Sequence, residues 1–369
     1  MFFWLLLMIG MVLGAVAGLI YLVTRFRHFL VTEKTEEYWK THRKRSYLLA
    51  TVPVLFLLLY CVLDTVNGIV VTLNLVVIWL IADLIAWIVK KIRKKPVKFY
   101  WAGICAIVFT VAYLGSGWYF AHHVYETTYK LKTEKNLGMD KLRIAQVSDS
   151  HVGATFYGEG FAKYMEQMQH TNPDVIIVTG DFVDDGTTKE DMIICCEALG
   201  KLQSTYGCYY ICGNHDKGYY NYRNFSYDEL TEELKKNNVR VLEDEVVELN
   251  ENVVLIGRQD RTMATRADME TLIKDIDKSK YMIVLDHQPN DYTAQAKSQV
   301  DLVLSGHTHG GQMFPIGIVG ELIGANDSTY GLERRDKTDF IVNSGISDWE
   351  FKYKTGGAIS EYGIIDVMN

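Results

Sequence analysis

The chain has 369 residues, is 49% hydrophobic and has a formal net charge of −7, leaving room for a membrane region and one good-sized globular domain. The charge is uneven: up to His123 there are 13 Lys/Arg against 5 Asp/Glu, which leaves 25 against 40 for the remainder. So acidic a second part, with no Lys/Arg run of its own, excludes nucleic acid as an expected partner, and six scattered cysteines without a CxxC pair exclude a disulfide scaffold or a cysteine-based zinc site.

Phe2 to Val23 has no charged residue and is long enough to cross a bilayer as a helix. It lacks a basic leading region and a small-residue cleavage site, so it reads as an anchor and not as a cleaved signal. Two further apolar runs, Tyr47–Leu63 and Ile69–Val89, flank a tight turn at Asp64–Gly68, and a fourth runs from Tyr100 to Ala121. The expectation is an all-α transmembrane region over residues 1–123 with about four spans, 2–23, 47–63, 69–89 and 100–121. Seven Lys/Arg follow the first span and six follow the third, while the turn after the second has none. Positive loops stay in the cytoplasm, so both termini and the large domain are expected on the extracytoplasmic side of the plasma membrane. Trp101, Trp118 and Tyr119 fall where interfacial anchors are expected. Asp83, inside the third span, is costly in lipid: it marks an ion path or a partner contact, or it is solvated or paired with a neighbouring helix.

Residues 124–141 read as a linker, and from Leu142 the pattern changes. LRIAQV, DVIIVTG, CYYICG, VVLIG, YMIVLD and DLVLSG are short apolar runs bounded by Gly, Asp or Asn, which predicts buried strands. Between them Gly160–His170, Lys189–Leu202, Tyr227–Lys236 and Arg266–Lys278 predict helices with apolar faces. Alternation of this kind implies an α/β domain over 142–369, its sheet layers covered by helices.

The residues with chemistry sit where those strands end, the usual place for sites in α/β sheets. The blocks are Asp149-Ser150-His151, Gly180-Asp181-Phe182-Val183-Asp184, Gly213-Asn214-His215-Asp216, Asp286-His287 and Gly306-His307-Thr308-His309-Gly310-Gly311-Gln312, and five of the six histidines after His123 lie in them. Imidazole, carboxylate and amide oxygen together suit divalent cations, with manganese, iron and zinc accommodated nearly alike. Residues two apart in an extended chain share a face, so Asp149 and His151 point the same way, as do His307 and His309. Asp181, in a tight turn after Gly180, is placed for its two oxygens to bridge two metals.

These blocks, D-x-H, GD, GNH, H and GH-x-H, resemble the calcineurin-like metallophosphoesterase superfamily, and the GHTHGGQ ending is similar to its membrane-associated branch. The resemblance spans Leu142 to Gln312. It implies a four-layer αββα sandwich and a two-metal centre: Asp149, His151 and His309 on one metal, Asn214, His287 and His307 on the other, and Asp181 shared. It implies His215 as the catalytic acid, with Asp216 either orienting His215 or capping the following turn, and Asp184 setting the turn behind the ligands. The implied reaction is metal-dependent hydrolysis of a phosphodiester or pyrophosphate, by in-line attack of water activated between two divalent ions. The expected partners are the bilayer and a lipid-linked or envelope phosphoester. An activity resembling UDP-2,3-diacylglucosamine hydrolysis is the named alternative, and a non-catalytic membrane sensor that keeps the fold is the alternative from another class.

After Gln312 the resemblance thins, and MFPIGIVGELIGANDSTYGLERRDKTDF reads as an extended loop. Arg334 and Arg335 either grip a phosphate or are ordinary surface charges. Tyr219, Tyr220, Tyr222, Phe225 and Tyr227 either stack a substrate or pack a loop onto the domain.

Overall fold

The computed structural model describes residues 2–32, 34–93, 99–218 and 222–369, with side chains described from Ile9 onward. It divides into two compact units, Met1–Gly117 and Trp118–Asn369.

The N-terminal unit contains α1 (Phe2–Leu30), α2 (Glu36–Thr41), α3 (Arg43–Leu63), α4 (Thr65–Arg93) and the start of α5 (Trp101–His122). Four stretches, Ile9–Leu30, Arg43–Leu63, Thr65–Arg93 and Trp101–His122, are long and apolar enough to cross a membrane. The turn between α3 and α4 is shorter than the five residues expected. Asp64 alone breaks the helix, and its Oδ1 accepts the Asn67 backbone N–H at 3.2 Å, an N-cap that restarts the chain at once. Gly68 then permits close packing, since a Cβ there would fall on the Cys61 backbone. Asp83 is paired across helices: it accepts from Tyr21 Oη at 3.0 Å and Tyr100 Oη at 2.9 Å, and Arg25 Nε lies 3.1 Å away. The carboxylate is thus neutralised inside the unit, as an apolar surrounding requires.

The C-terminal unit is built on two six-stranded sheets. The first has the order β1-β12-β2-β3-β4-β5, made of β1 (Val124–Lys132), β2 (Lys141–Val147), β3 (Val175–Val178), β4 (Cys208–Ile211), β5 (Val239–Leu242) and β12 (Ser360–Met368). The second has the order β10-β11-β9-β8-β7-β6, made of β6 (Glu245–Glu248), β7 (Val253–Gly257), β8 (Tyr281–Leu285), β9 (Leu302–Ser305), β10 (Gly331–Arg335) and β11 (Thr338–Val342). β2 to β5 run parallel, as do β7, β8, β9 and β11.

Strand alternation builds the layers. Leu142, Ile144, Val175 and Ile177 face Val253, Leu255, Ile283 and Leu304 in a core between the sheets. The outward residues Ala145, Val147, Ile176 and Val178 pack under α6 (Gly158–Gln169), α7 (Lys189–Gly200) and α8 (Tyr227–Lys236). On the far side Val254, Met282, Val284 and Val303 pack under α9 (Met269–Ile273) and α10 (Tyr292–Lys297). The result is the four-layer αββα sandwich.

Three local expectations are corrected. The stretch 124–141 is not simply a linker, because Val124–Lys132 forms edge strand β1, in parallel register with β12 from Val124↔Ser360 to Lys132↔Met368 and with Leu131 buried between the sheets. The helix expected over Arg266–Lys278 is only α9, started by Asp268, whose side chain caps the Thr271 N–H. The segment after Gln312 is not one extended loop: it holds α11 (Ile316–Leu322) and the β10–β11 hairpin.

Candidate metal centre

The five sequence blocks converge on the C-terminal ends of parallel strands from both sheets. Asp149 and His151 follow β2, Asp181 follows β3, Asn214 and His215 follow β4, His287 follows β8, and His307 and His309 follow β9. The turns there are tight. Asp149, His151, Asp181, His307 and His309 have positive φ of 50°, 36°, 49°, 71° and 48°. For residues with a Cβ, conformations of this kind cost of order 1–3 kcal/mol each, and they persist only where the surroundings over-determine them. The bracing is visible: Asp149 N–H donates to Gly180 O at 3.0 Å, His151 N–H to Asp181 O at 3.1 Å and His307 N–H to Asp149 Oδ1 at 2.9 Å. Two positions must be glycine, because a Cβ on Gly213 would fall on Asp181 Oδ1 and one on Gly306 on Asp149 Oδ2.

The side chains form clusters able to hold cations, among them Asp149–His151–His309 and Asp181–His287–His307. Asp181 Oδ2 lies between them, 3.1 Å from His287 Nε2 and 3.7 Å from His151 Nε2. Asn214 Oδ1 is 3.2 Å from His287 Nε2, which joins it to the second cluster.

The hydrogen bonds on the far side of each ring test whether this donor set fits a metal. His151 Nδ1 faces Asp184 Oδ2 at 3.2 Å, His309 Nδ1 faces Ser347 O at 3.2 Å and His287 Nδ1 faces Thr179 O at 2.7 Å. All three partners accept only, so each Nδ1 carries the proton and each Nε2 presents a lone pair. Yet the Nε2 atoms of His151 and His309 face one another at 3.2 Å, and His287 Nε2 faces two oxygens. Lone pairs converging on a common space need a cation there. Burial opposes protonation of His287, but Asp181 outweighs it and holds the imidazole pKa well above its ordinary value, so without a metal a proton takes that place. Burial, with His287 beside it, pushes His307 down to about 4, leaving it neutral and ligand-competent near pH 7.

The calcineurin-like phosphoesterase family model matches residues 142–311. An uncharacterized metallophosphoesterase of Aquifex aeolicus is 34% identical over 194 residues, covering 51% of this chain and 71% of that protein. This chain belongs to the calcineurin-like metallophosphoesterase family. An uncharacterized metallophosphoesterase of Campylobacter jejuni is 32% identical over 220 residues, covering 58% of this chain and 56% of that protein. A transmembrane protein with a metallophosphoesterase domain from Danio rerio is 29% identical over 198 residues, covering 50% of this chain and 44% of that protein.

Of the two roles open to Asp216 in this metallophosphoesterase domain, bracing the backbone is the one observed, and Asp184 takes the other. Asp216 does not touch His215 through its carboxylate. It accepts four backbone N–H groups, Asp181 at 2.8 Å, Phe182 at 2.8 Å, Val183 at 3.1 Å and Gly213 at 2.7 Å, and so stitches the loop after β3 to the loop after β4. Asp184 holds the imidazole instead: its Oδ1 is 3.1 Å from His215 Nδ1 while its Oδ2 holds His151. Asp216→Ala is therefore expected to orphan four buried donors and to destabilise the domain by about 3 kcal/mol or more in heat or denaturant unfolding, since each unsatisfied buried group costs about 1–3 kcal/mol.

The segment after β11 completes the site, a contribution that sequence reasoning missed. Ser347 supplies the carbonyl on His309, Asp348 Oδ1 lies 3.7 Å from His309 Nδ1, and buried Lys354 Nζ is 3.3 Å from that same oxygen. The Trp349 ring stands edge-on to His215 at 5.6 Å. The only signal was the polar run NSGISDW, unusual ahead of a buried final strand. Asp286 is not among the clustered ligands: it is ion-paired with Arg258 at 2.9 Å and Arg266 at 2.6 Å, anchoring the loop that carries His287. Arg334 pairs with Asp339, and Arg335 pairs with Glu333 and lies over the Tyr292 ring, so both are engaged within the second sheet. Of the aromatic run, Phe225 is buried and packs into the core beneath α8, Tyr222 is exposed, and Tyr219 and Tyr220 lie outside the described residues.

Proposed function

We propose that the protein is a membrane-anchored phosphoesterase that hydrolyses phosphodiester or pyrophosphate bonds at a two-cation centre. In this reading Asp149, His151 and His309 hold one divalent ion and Asn214, His287 and His307 the other, with Asp181 shared. The observation that carries it is the single oxygen, Asp181 Oδ2, within 3.1 Å of His287 Nε2 and 3.7 Å of His151 Nε2. The chemistry such a pair of cations supplies is Lewis acidity toward phosphoryl oxygens and a lowered pKa for water.

The chain's own residues supply the rest. The His215 backbone N–H donates to Asp181 Oδ1 at 2.8 Å, which fixes the imidazole beside the shared carboxylate. Its Nδ1–H is held by Asp184, so in this reading Nε2–H is the proton passed to a departing oxygen. Burial opposes protonation of His215, and Asp184 and Asp181 outweigh it, raising the pKa to about 9. In the metal-free protein an imidazole so placed is protonated near pH 7, the state a general acid needs, and the contact with Asp184 is the part of that support that cations on Asp181 would leave in place. The four apolar helices and the uneven charge support an anchored domain on the extracytoplasmic face, acting on a lipid-linked or envelope phosphoester.

The test is turnover of bis-p-nitrophenyl phosphate by the full chain with added manganese. Wild type is expected to turn over, and His215→Ala to lose about 10²–10⁴-fold in rate, the usual contribution of a positioned acid. No turnover above background by wild type with manganese, iron or zinc would overturn the enzymatic reading.

A further inference from the structure

Helix α11 is built the wrong way round for a surface helix. Gly317 faces the domain: a Cβ there would lie 2.8 Å from Thr329 Cγ2 and 3.1 Å from Gly311 Cα. The helix's large aliphatic residues face outward, and none of its seven residues is buried. Ile316, Ile318, Val319 and Leu322, with Phe314 before them and Ile323 after, are all exposed, from 45% at Val319 to 80% at Leu322. A soluble surface helix carries the opposite pattern. Elsewhere in the C-terminal unit, among the described residues beyond the end of α5, exposed large apolar side chains occur singly, at Tyr157, Tyr222, Val246 and Leu332. Single exposed residues are ordinary, whereas a contiguous patch marks a surface that meets another apolar phase.

The position and charge of the patch select that phase. The patch begins five residues after His309, and a cleft of about 240 Å³ lies between α11 and the Gly310–Met313 turn, lined by Phe314, Ile318 and Tyr330. Residues 312–332 contain no Lys or Arg, and their charges are Glu321 and Asp327, so attraction to an anionic macromolecule is not what this segment offers. The domain is also tethered almost without slack: α5, long and apolar enough to cross a membrane, ends at His122, and β1 begins at Val124. A domain joined to such a helix through one residue stays within reach of the lipid surface, the nearest large apolar phase.

We propose that α11 and Phe314 form an interfacial docking element that inserts into the lipid leaflet and holds the mouth of the metal centre at that surface. The apolar side chains enter the acyl region, and the Gly311–Gly317 contact keeps the helix fixed to the loop that carries His309. Phosphoesters embedded in the leaflet are then presented to the site without leaving it. The inference uses the membrane anchoring but not catalysis, so it stands or falls separately from turnover.

The experiment places a benzophenone-bearing amino acid at Leu322 of the full chain, reconstituted in phosphatidylcholine–phosphatidylglycerol vesicles and irradiated. A second protein carries the probe at Glu232, on the exposed face of α8. Leu322 makes no buried contact, so the probe leaves the fold intact. The expected result is lipid adducts at position 322 at least about fivefold above those at 232, as an inserted apolar face requires. Adducts no more frequent at 322 than at 232 would overturn the proposal. Chain-to-chain cross-links through 322 in place of lipid adducts would also overturn it, assigning the face to a second copy.

Discussion

Asp181→Asn is expected to reduce the bound divalent ions from two to at most one and to lower turnover of bis-p-nitrophenyl phosphate by well over the 10–100-fold that loss of an outer partner costs. The substitution keeps the size of the side chain and one acceptor, so the His215 N–H that Oδ1 receives at 2.8 Å can still be satisfied. What it removes is the negative charge shared by the two clusters, whose Nε2 atoms at His287 and His151 lie 3.1 and 3.7 Å from Oδ2. Metal content measured by elemental analysis after dialysis against manganese, with circular dichroism to confirm the fold, separates ligand loss from unfolding. Retention of two ions at wild-type affinity would remove Asp181 from the bridging role, whatever happened to turnover.

How far the chain could be read without coordinates depended on what each segment buries. β2, β3, β4, β7, β8 and β9 lie inside the sandwich, apolar or nearly so on both faces, so their runs stand out, and they are also the strands whose ends carry most of the chemistry. β1, β6 and β10 are edge strands that carry charged residues, such as Glu126, Lys130, Glu245 and Arg334, and resemble loops when read as composition alone. β12 is central yet holds Glu361 and Asp366, because Asp366 is neutralised by Arg143 on its neighbour β2 at 2.7 Å, a pairing visible only once the register is known. The same limit applies at the site. Candidate ligands could be named from local blocks, but Asp184 and His215 are 31 positions apart and meet only because β3 and β4 are adjacent. Asp216, next in sequence to His215, could be read as its partner or as a turn cap, and only the structure decides, its carboxylate being consumed by four backbone donors.

Asp184→Asn is expected to separate the two tasks that this carboxylate performs. Its oxygens accept from His151 Nδ1 at 3.2 Å and His215 Nδ1 at 3.1 Å, and although burial disfavours the anion, these two imidazoles hold its pKa well below the usual carboxylate range. An amide has one acceptor oxygen, so one of the two rings must face an NH₂ group and shift its proton to Nε2. If the ring is His151, the lone pair directed at His309 and the metal space is lost, and affinity for the first ion should fall about 10–100-fold. If the ring is His215, the imidazolium loses the partner that, against burial, raises its pKa to about 9. The sign follows for the metal-free protein: a histidine raised in the folded state contributes stability that is full below its unfolded value near 6.5 and is lost as pH rises through about 9. Asp184 contributes in the opposite sense, its stabilisation being present above its unfolded value near 3.9 and lost as pH falls below it. Wild type without metal should therefore lose thermal stability between pH 6.5 and about 9, and Asp184→Asn should flatten that slope and bring the His215 ring titration, followed by NMR, toward its ordinary range. An unchanged His215 titration in the variant would mean that Asp181 alone sustains the charge, and the orienting role would pass from Asp184 to the shared carboxylate.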